Sequence, residues 1–117
     1  MYSCPIFRLS DIVGKRWTIP IIQEVGLNGK NGFNAIHRRM KKMSPRLLST
    51  RLKELENEGI IERKVVVSEI PIRTSYTLTE KGKELQQLIN KMRRWYSKYH
   101  PELEGCDRRE CVNCHLY

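Results

Sequence analysis

The sequence has no apolar segment long enough to cross a lipid bilayer, since no uninterrupted run approaches the ~20 residues that a transmembrane helix needs. Residues 1–5 contain no basic region followed by an apolar stretch, so no secretory signal is predicted. Internal repeats and low-complexity segments are absent as well. These absences predict a cytoplasmic protein that does not enter a membrane.

Motifs for enzymatic chemistry are also missing. No nucleophile–base pair, glycine-rich phosphate loop or paired carboxylate site can be recognised. Asp11 and Glu24 are isolated carboxylates, for which solvation or a salt bridge is the expected role. A chain of 117 residues has room for one domain with one modest core and no second catalytic lobe. We therefore predict that the protein is not an enzyme.

Acidic residues are scarce, because 22 Lys and Arg stand against 13 Asp and Glu and give a formal net charge of +9. Residues 30–53 contain no acidic residue, and their basic residues are Lys30, Arg38, Arg39, Lys41, Lys42, Arg46, Arg51 and Lys53. Such a charge suits a polyanionic partner, with nucleic acid as the commonest and an anionic membrane surface as the alternative. A solvated helix face normally mixes both signs, so the stretch favours nucleic acid, and we predict no membrane partner.

The amino-terminal part of the chain reads as three helices. Pro5 suits the first position of a helix, and Gly14 suits its end. A second helix is predicted from about Arg16 to Val25, in which Pro20 lies either in the first turns or at a kink. Asn34 is predicted to cap a short third helix.

The clearest local signal is a fourth helix over residues 44–58. Ser44 is a good N-cap, Pro45 is a good first helical residue, and Gly59 is a natural C-terminal stop. The apolar face of this helix carries Leu48, Leu52 and Leu55. The opposite face is polar and almost free of acids, as expected of a helix that contacts an anionic surface.

β-Branched residues after Gly59 predict a strand over residues 60–67, a turn over 68–73 and a returning strand over 74–78. Thr79 is predicted to cap a long last helix that ends at His100 and Pro101. The predicted fold is mostly α with a small β-hairpin wing, which is a winged helix-turn-helix. Such a fold places the helix 44–58 in the major groove of DNA and the turn 68–73 on the neighbouring backbone or minor groove.

This arrangement predicts a set of DNA-contacting residues. The fourth helix would contribute Arg46, Ser49, Thr50 and Lys53. Arg38 and Lys42 are predicted phosphate contacts, with plain solvated charge as the alternative. Arg73 on the wing is a predicted minor-groove or phosphate contact, and its alternative is a turn residue paired with Glu69. The alternative for the whole helix is an ordinary amphipathic surface helix.

The last helix carries an apolar stripe at helical spacing, formed by Leu85, Leu88, Ile89, Met92, Trp95, Tyr96 and Tyr99. A domain this small has little core to offer a helix of that length. Part of the stripe is therefore predicted to meet a second copy of the chain. A homodimer also fits the paired half-sites that helix-turn-helix proteins bind.

Three of the four cysteines cluster near the end of the chain, at Cys106, Cys111 and Cys114. This spacing is compatible with a zinc site or an iron–sulfur cluster, and the candidate fourth ligands are His115, His100 and Cys4. A redox-active thiol cluster and a passive tail are the alternatives. We therefore divide the chain into a winged-helix domain, residues 1–100, and a cysteine-rich tail, residues 101–117.

Cys4 lies before the predicted start of the first helix, and Arg8 follows one turn later. The helix dipole and a nearby cation both favour the thiolate, which is the reactive form of cysteine. Cys4 is therefore a candidate redox residue, with a buried and inert cysteine as the alternative.

Several segments together resemble one known family. They are Cys4-Pro5, Gly14-Lys15-Arg16-Trp17, Phe33, Ser44, the Leu48, Leu52 and Leu55-Glu56 run, Gly59-Ile60-Ile61-Glu62-Arg63, and Pro71-Ile72-Arg73 with Tyr76-Thr77-Leu78-Thr79-Glu80-Lys81-Gly82. In this order and spacing they resemble the HxlR-type winged-helix regulators, relatives of the MarR-like regulators. The resemblance implies a homodimeric prokaryotic transcription factor that dimerises through its terminal helices. It also implies that the cysteine matching Cys4 senses oxidants or electrophiles in some members.

The predicted function is that of a sequence-specific transcription regulator that binds a double-stranded DNA operator as a homodimer. Redox or metal sensing through the cysteines is a further hypothesis. The alternatives are a metal- or redox-binding module with a basic face for a protein partner, and an architectural nucleic-acid-binding protein. A strong preference for one DNA site over random duplex separates the regulator from both alternatives.

Overall fold

The computed structural model describes residues 4–27, 32–67, 70 and 73–103. Within these residues the helices are α1 (Pro5–Val13), α2 (Thr18–Leu27), α3 (Phe33–Arg39), α4 (Pro45–Asn57) and α5 (Glu80–Lys98), and the strands are β1 (Ile61–Val66) and β2 (Arg73–Leu78). The element order is the predicted one, with two antiparallel strands between the fourth and the last helix. The predicted fold class, mostly helical with a small hairpin, is confirmed.

The junction between α1 and α2 differs from the prediction. The second helix begins at Thr18 and not at Arg16, because Trp17 has a left-handed backbone with φ of 77°. Pro20 therefore lies in the first turn, where backbone N–H groups have no helical acceptor. The first helical hydrogen bond follows it, from Ile21 N–H to the Trp17 carbonyl at 2.9 Å. Pro20 consequently costs α2 no hydrogen bond.

The start of α3 is a second correction. Gly32 is the N-cap, with an extended backbone, and Phe33 is the first helical residue. Asn34 lies inside the helix and does not cap it. The aromatic side chain of Phe33 packs against the core, which explains why the helix begins one residue before the polar candidate.

The core lies between α2, α3, α4 and the hairpin. The predicted leucine face of α4 is buried, with each of Leu48, Leu52 and Leu55 at most 1% exposed. The other buried apolar residues are Ile21, Ile22, Val25, Ile36, Met40, Met43, Ile60, Ile61, Tyr76 and Ile89. Burying each such large side chain contributes about 1.5–3 kcal/mol. The core therefore fixes which face of α4 remains outside.

The hairpin is antiparallel, with Ile61 opposite Leu78 at its base and Val66 opposite Arg73 towards its tip. Ile61 and Tyr76 point into the core, whereas most other side chains of β1 are exposed. At the base, the Thr79 N–H donates to the Ile60 carbonyl at 3.0 Å, which ties the start of α5 to the strand.

The two terminal helices are only partly covered by the rest of the chain. No residue of α1 is buried, and on α5 only Gly82 and Ile89 are. In the described ranges no helix has both the length and the apolar character that crossing a membrane requires.

Candidate nucleic-acid interface

α4 begins as the sequence predicts. The Ser44 hydroxyl oxygen accepts a hydrogen bond from the Leu47 N–H at 3.1 Å, and Pro45 occupies the first turn. The cap satisfies one of the backbone donors that the first turn leaves free. Because the leucine face packs inward, the cap and the core together fix the outward face of this helix.

The outward face of α4 holds the four residues predicted to read DNA, and all of them are exposed: Arg46, Ser49, Thr50 and Lys53. The Thr50 hydroxyl donates to the Arg46 carbonyl at 3.0 Å, so its oxygen remains able to accept from a base edge. We call these four residues the groove face. They combine cationic donors for phosphate or guanine with hydroxyl groups that suit several base edges.

The turn between α3 and α4 presents further basic groups. Arg38 is exposed on the last turn of α3, and Lys42 is exposed in the turn that follows it. The turn is fixed from inside by Met40 and Met43, which are buried. A ring nitrogen of His37 also lies 3.1 Å from the Met43 carbonyl oxygen. Arg38 and Lys42 are therefore exposed on a fixed segment that directly precedes α4.

Two basic residues of the acid-free stretch, residues 30–53, form ion pairs within the chain. Arg39 Nε binds the carboxylate of Glu24 at 2.7 Å, and Glu24 is only 1% exposed. Arg51 Nη1 binds Glu54 at 2.7 Å, and its Nε donates to the Arg16 carbonyl at 3.3 Å. The acid-free stretch of the sequence is therefore not a single binding surface, because acids from elsewhere in the chain occupy part of it.

The Glu54 carboxylate joins α4 to the α1–α2 junction. Its second oxygen pairs with Lys15 Nζ. The hydrogen bond from Lys15 lowers the pKa of Glu54 below its ordinary value of 4.5, burial opposes this shift, and the hydrogen bond from Arg51 adds to the lowering. Sequence analysis missed this contact, because Lys15 and Glu54 lie 39 residues apart and no local pattern links them.

The wing places Arg73 at the exposed first position of β2. Arg63 and Lys64 on β1 are exposed basic residues too, although the sequence analysis did not single them out. The predicted strand could have identified them, because side chains on the outward face of a hairpin remain available to a partner. Glu69, the predicted alternative partner of Arg73, lies outside the described residues.

Cys4 is exposed and is the N-cap of α1. Cys4 is therefore not buried in its own chain, and its reactivity stays a prediction. The Cys4 carbonyl oxygen accepts a hydrogen bond from the Arg8 N–H at 3.2 Å, which closes the first turn of the helix. The thiol of Cys4 is free. An exposed free thiol is accessible to oxidants and electrophiles.

The stripe on α5 divides into two parts. Ile89 belongs to the core of its own chain and Leu85 packs against that core, so assigning Ile89 to an interface between chains is corrected. Five residues of the stripe remain at least 48% exposed: Leu88, Met92, Trp95, Tyr96 and Tyr99. We call these five the α5 face. Trp95 and Tyr99 contact each other edge to face, with ring centroids 6.1 Å apart.

The predicted metal ligands Cys106, Cys111 and Cys114 lie outside the described residues. His100, a candidate fourth ligand, contacts Glu102 and stacks on Tyr96 with ring centroids 4.2 Å apart. Within the described part of the chain, no three His, Cys, Asp or Glu side chains are grouped as metal ligands would be.

Comparison with known sequences agrees with this architecture. A family model described as HxlR-like helix-turn-helix matches residues 12–104. The uncharacterized HTH-type transcriptional regulator YvaP of Bacillus subtilis is 40% identical over 97 residues, which are 82% of this chain and 88% of YvaP. The HTH-type transcriptional regulator YodB of the same bacterium is 40% identical over 88 residues, 75% of this chain and 77% of YodB.

Solved structures of related regulators share the fold. The reduced form of YodB matches with a TM-score of 0.70 and 36% identity, over 85% of this chain and 96% of the YodB chain. The redox regulator HypR in its oxidised form matches with a TM-score of 0.72 and 30% identity, over 83% and 97% of the two chains. YodB has also been solved after diamide treatment and with bound quinone. The predicted winged helix-turn-helix fold is confirmed by these likenesses.

Proposed function

The chain belongs to the HxlR-like helix-turn-helix family of transcriptional regulators, which are not enzymes, and we propose that it binds an operator as a homodimer with α4 in the major groove. The single observation that carries this proposal is the groove face. It is an exposed set of cationic and hydroxyl side chains on a helix whose opposite side carries buried leucines.

Three groups of residues would divide the work of DNA binding. The groove face would read base edges, while Arg38 and Lys42 would neutralise phosphates next to it. Arg73 on the wing would contact the neighbouring backbone or minor groove. Since the basic groups at Arg39 and Arg51 are paired with glutamates, we do not assign them to DNA.

The test is a titration of Arg46→Ala against an operator selected from a random duplex library. We expect the variant to lose about 10- to 100-fold in operator affinity, because a guanidinium that binds a base is worth about 1–3 kcal/mol. Arg94→Ala is the matched control, since it removes the same charge from an exposed position on α5.

The salt concentration is held constant in all these titrations. Equal losses for Arg46→Ala and Arg94→Ala would contradict the assignment of α4. Similar affinity of the wild type for the operator and for random duplex would favour the architectural alternative.

We further propose that Cys4 is the residue through which oxidants or electrophiles regulate DNA binding. Two features support this proposal. Cys4 is an exposed free thiol at the start of α1, and relatives include a redox regulator and a regulator solved in reduced, diamide-treated and quinone-bound forms. We expect diamide to lower the operator affinity of the wild type and to leave Cys4→Ser unchanged. An equal loss for both proteins would contradict a role for Cys4.

A zinc site or an iron–sulfur cluster at Cys106, Cys111 and Cys114 stays a prediction from sequence spacing alone. The division of the chain into a domain over residues 1–100 and a tail over residues 101–117 is likewise a prediction from the sequence.

A further inference from the structure

α1 is weakly attached to the rest of its own chain. None of its residues is buried, and Ile6 and Phe7 are 68% and 59% exposed. Near its end, Ile12 packs against the core. An element with so few buried contacts opens or moves at low cost in free energy. Its position therefore depends strongly on the joint that connects it to α2.

That joint, which we call the elbow, consists of residues 14–17. Trp17 has a φ of 77°, a left-handed value that is rare for a bulky side chain. The guanidinium of Arg16 lies 5.4 Å from the Trp17 ring centroid, so the two side chains stack. Such a backbone persists only where the surrounding contacts hold it. The elbow is therefore a defined turn and not an arbitrary connection.

The elbow binds α4 directly through four residues: Lys15, Arg16, Arg51 and Glu54. One Glu54 carboxylate oxygen pairs with Lys15, and the other accepts from Arg51 at 2.7 Å. Arg51 reaches back to the Arg16 carbonyl. We call this group of contacts the elbow network. It joins the elbow, which follows the end of α1, to the second half of α4, the helix proposed to read DNA.

We propose that Glu54 is a positioning residue for DNA recognition, which holds α4 to the elbow through Lys15 and Arg51 and so makes the orientation of the groove face depend on α1. This inference rests on the proposed role of α4 in DNA binding. Thr50 lies one turn before Glu54, and Lys53 directly precedes it. A rotation of α4 at Glu54 therefore displaces residues of the groove face.

Two physical arguments support a positioning role over a purely stabilising one. The buried leucines fix which face of α4 points outward, and the elbow network adds a second, directional attachment on the side of the helix next to the groove face. A recognition face must also be held to within about 10–20° to keep its hydrogen bonds to base edges. Partly exposed ion pairs contribute little to global stability, so the main effect of the network falls on orientation.

Charge reversal gives a sharp test. Glu54→Lys raises the net charge by two, which alone would strengthen DNA binding, yet we expect it to weaken operator binding about tenfold because the introduced ammonium group repels Lys15 and Arg51. Lys15→Glu is expected to lose a similar factor. The double variant Lys15→Glu/Glu54→Lys has the wild-type net charge and recreates the pair in reverse. Because Arg51 still lacks its carboxylate partner at position 54, we expect the double variant to recover part of the lost affinity and to bind about threefold better than either single variant.

Glu84→Lys is the control, because it adds the same charge at an exposed position on α5. It should bind the operator as well as the wild type or slightly better. The proposal is overturned by a Glu54→Lys variant that binds as tightly as Glu84→Lys. It is equally overturned by a double variant that binds no better than the two single variants.

A second readout needs no DNA and separates this inference from the proposed function. The backbone amide resonances of Arg46 and Ser49, which lie farther from the substituted position, should shift in each single variant, return towards their wild-type positions in the double variant and remain unchanged in Glu84→Lys. Absence of operator preference in the wild type would remove the proposed function, while the resonances would still decide whether the network orients α4. Unchanged resonances in both single variants would refute the positioning role.

Discussion

Gly82 lies where α5 leaves the hairpin, at a point where the backbone of two elements comes too close for a side chain. A Cβ atom at this position would be 2.1 Å from the Ile60 carbonyl oxygen and 3.2 Å from Leu78 Cδ2. The Gly82 N–H also donates to the Thr79 hydroxyl at 3.1 Å, which is the cap of α5. The absence of a side chain at Gly82 therefore sets the angle between the wing and the last helix.

We predict that Gly82→Ala lowers the free energy of unfolding by about 1–3 kcal/mol, because backbone must shift to admit the methyl group. Gly59→Ala is an informative comparison. Gly59 has a φ of +74° and nothing within 4 Å of an added Cβ, so its cost is conformational. Urea unfolding measures the free energy of unfolding of both variants.

The two mechanisms are separated by a second pair of variants. Gly59→Asn should recover much of the stability lost in Gly59→Ala, since Asn tolerates a left-handed backbone. Gly82→Ser should remain destabilised, because it keeps the crowding. A Gly82→Ala protein as stable as the wild type would contradict the close approach at Ile60.

At the scale of elements, local chemistry predicted the start and the buried face of α4, while contacts distant in sequence decided the rest. Ser44 and the three leucines carry their signal within one helix, and the structure uses them as expected. The start of α3 at Phe33 depended instead on what the ring packs against. The left-handed backbone of Trp17 has no signature in residue type, because that region is typical of Gly and Asn and rare for a bulky side chain.

In the candidate site, local sequence predicted which residues are basic but not all of their ion pairs. The acid-free stretch predicted a basic surface, and Arg46, Lys53, Arg38 and Lys42 are indeed exposed. The neutralisation of Arg39 could not be predicted, because its partner Glu24 comes from another element, whereas Arg51 pairs with Glu54 three residues later in the same helix. Sequence patterns describe one element at a time, whereas ion pairs depend on how elements pack.

The elbow network predicts an acid dependence of stability. Because the pKa of folded Glu54 is lowered, its contribution to stability is fully present above the ordinary pKa of 4.5 and is lost as pH falls through the lower folded value. Glu54→Gln should thus be less stable than the wild type by about 0.2–1 kcal/mol near neutral pH, and the gap should close in acid.

Urea unfolding of both proteins across the acid range measures this difference. Glu84→Gln serves as the control at an exposed position and should show little change at any pH. A gap between Glu54→Gln and the wild type that stays constant down to the lowest pH would contradict the ionised network.

At the scale of the whole molecule, most of the exposed large apolar residues lie on the two terminal helices, and a smaller group lies at the hairpin, at Val65, Val67 and Ile70. The α5 face and the residues Ile6, Phe7 and Leu9 of α1 are each at least 46% exposed. Monomeric proteins rarely leave large contiguous apolar patches in contact with water. Two half-sites one turn of DNA apart, about 34 Å, also need two recognition helices. A second copy of this chain would meet both requirements.

We therefore predict that the wild type behaves as a dimer at micromolar concentration in light scattering, with about twice the 13.9 kDa mass of the chain. Trp95→Glu should shift the protein towards monomer, because it places a charge in the middle of the α5 face, where Trp95 is 63% exposed. Val67→Glu is the matched control: it makes the same kind of change at a 75% exposed apolar residue beyond β1. Operator affinity should fall with the dimer in Trp95→Glu, since a monomer binds only one half-site. A wild type that remains monomeric, or a Trp95→Glu variant that dimerises as well as Val67→Glu, would show that the terminal helices have another partner.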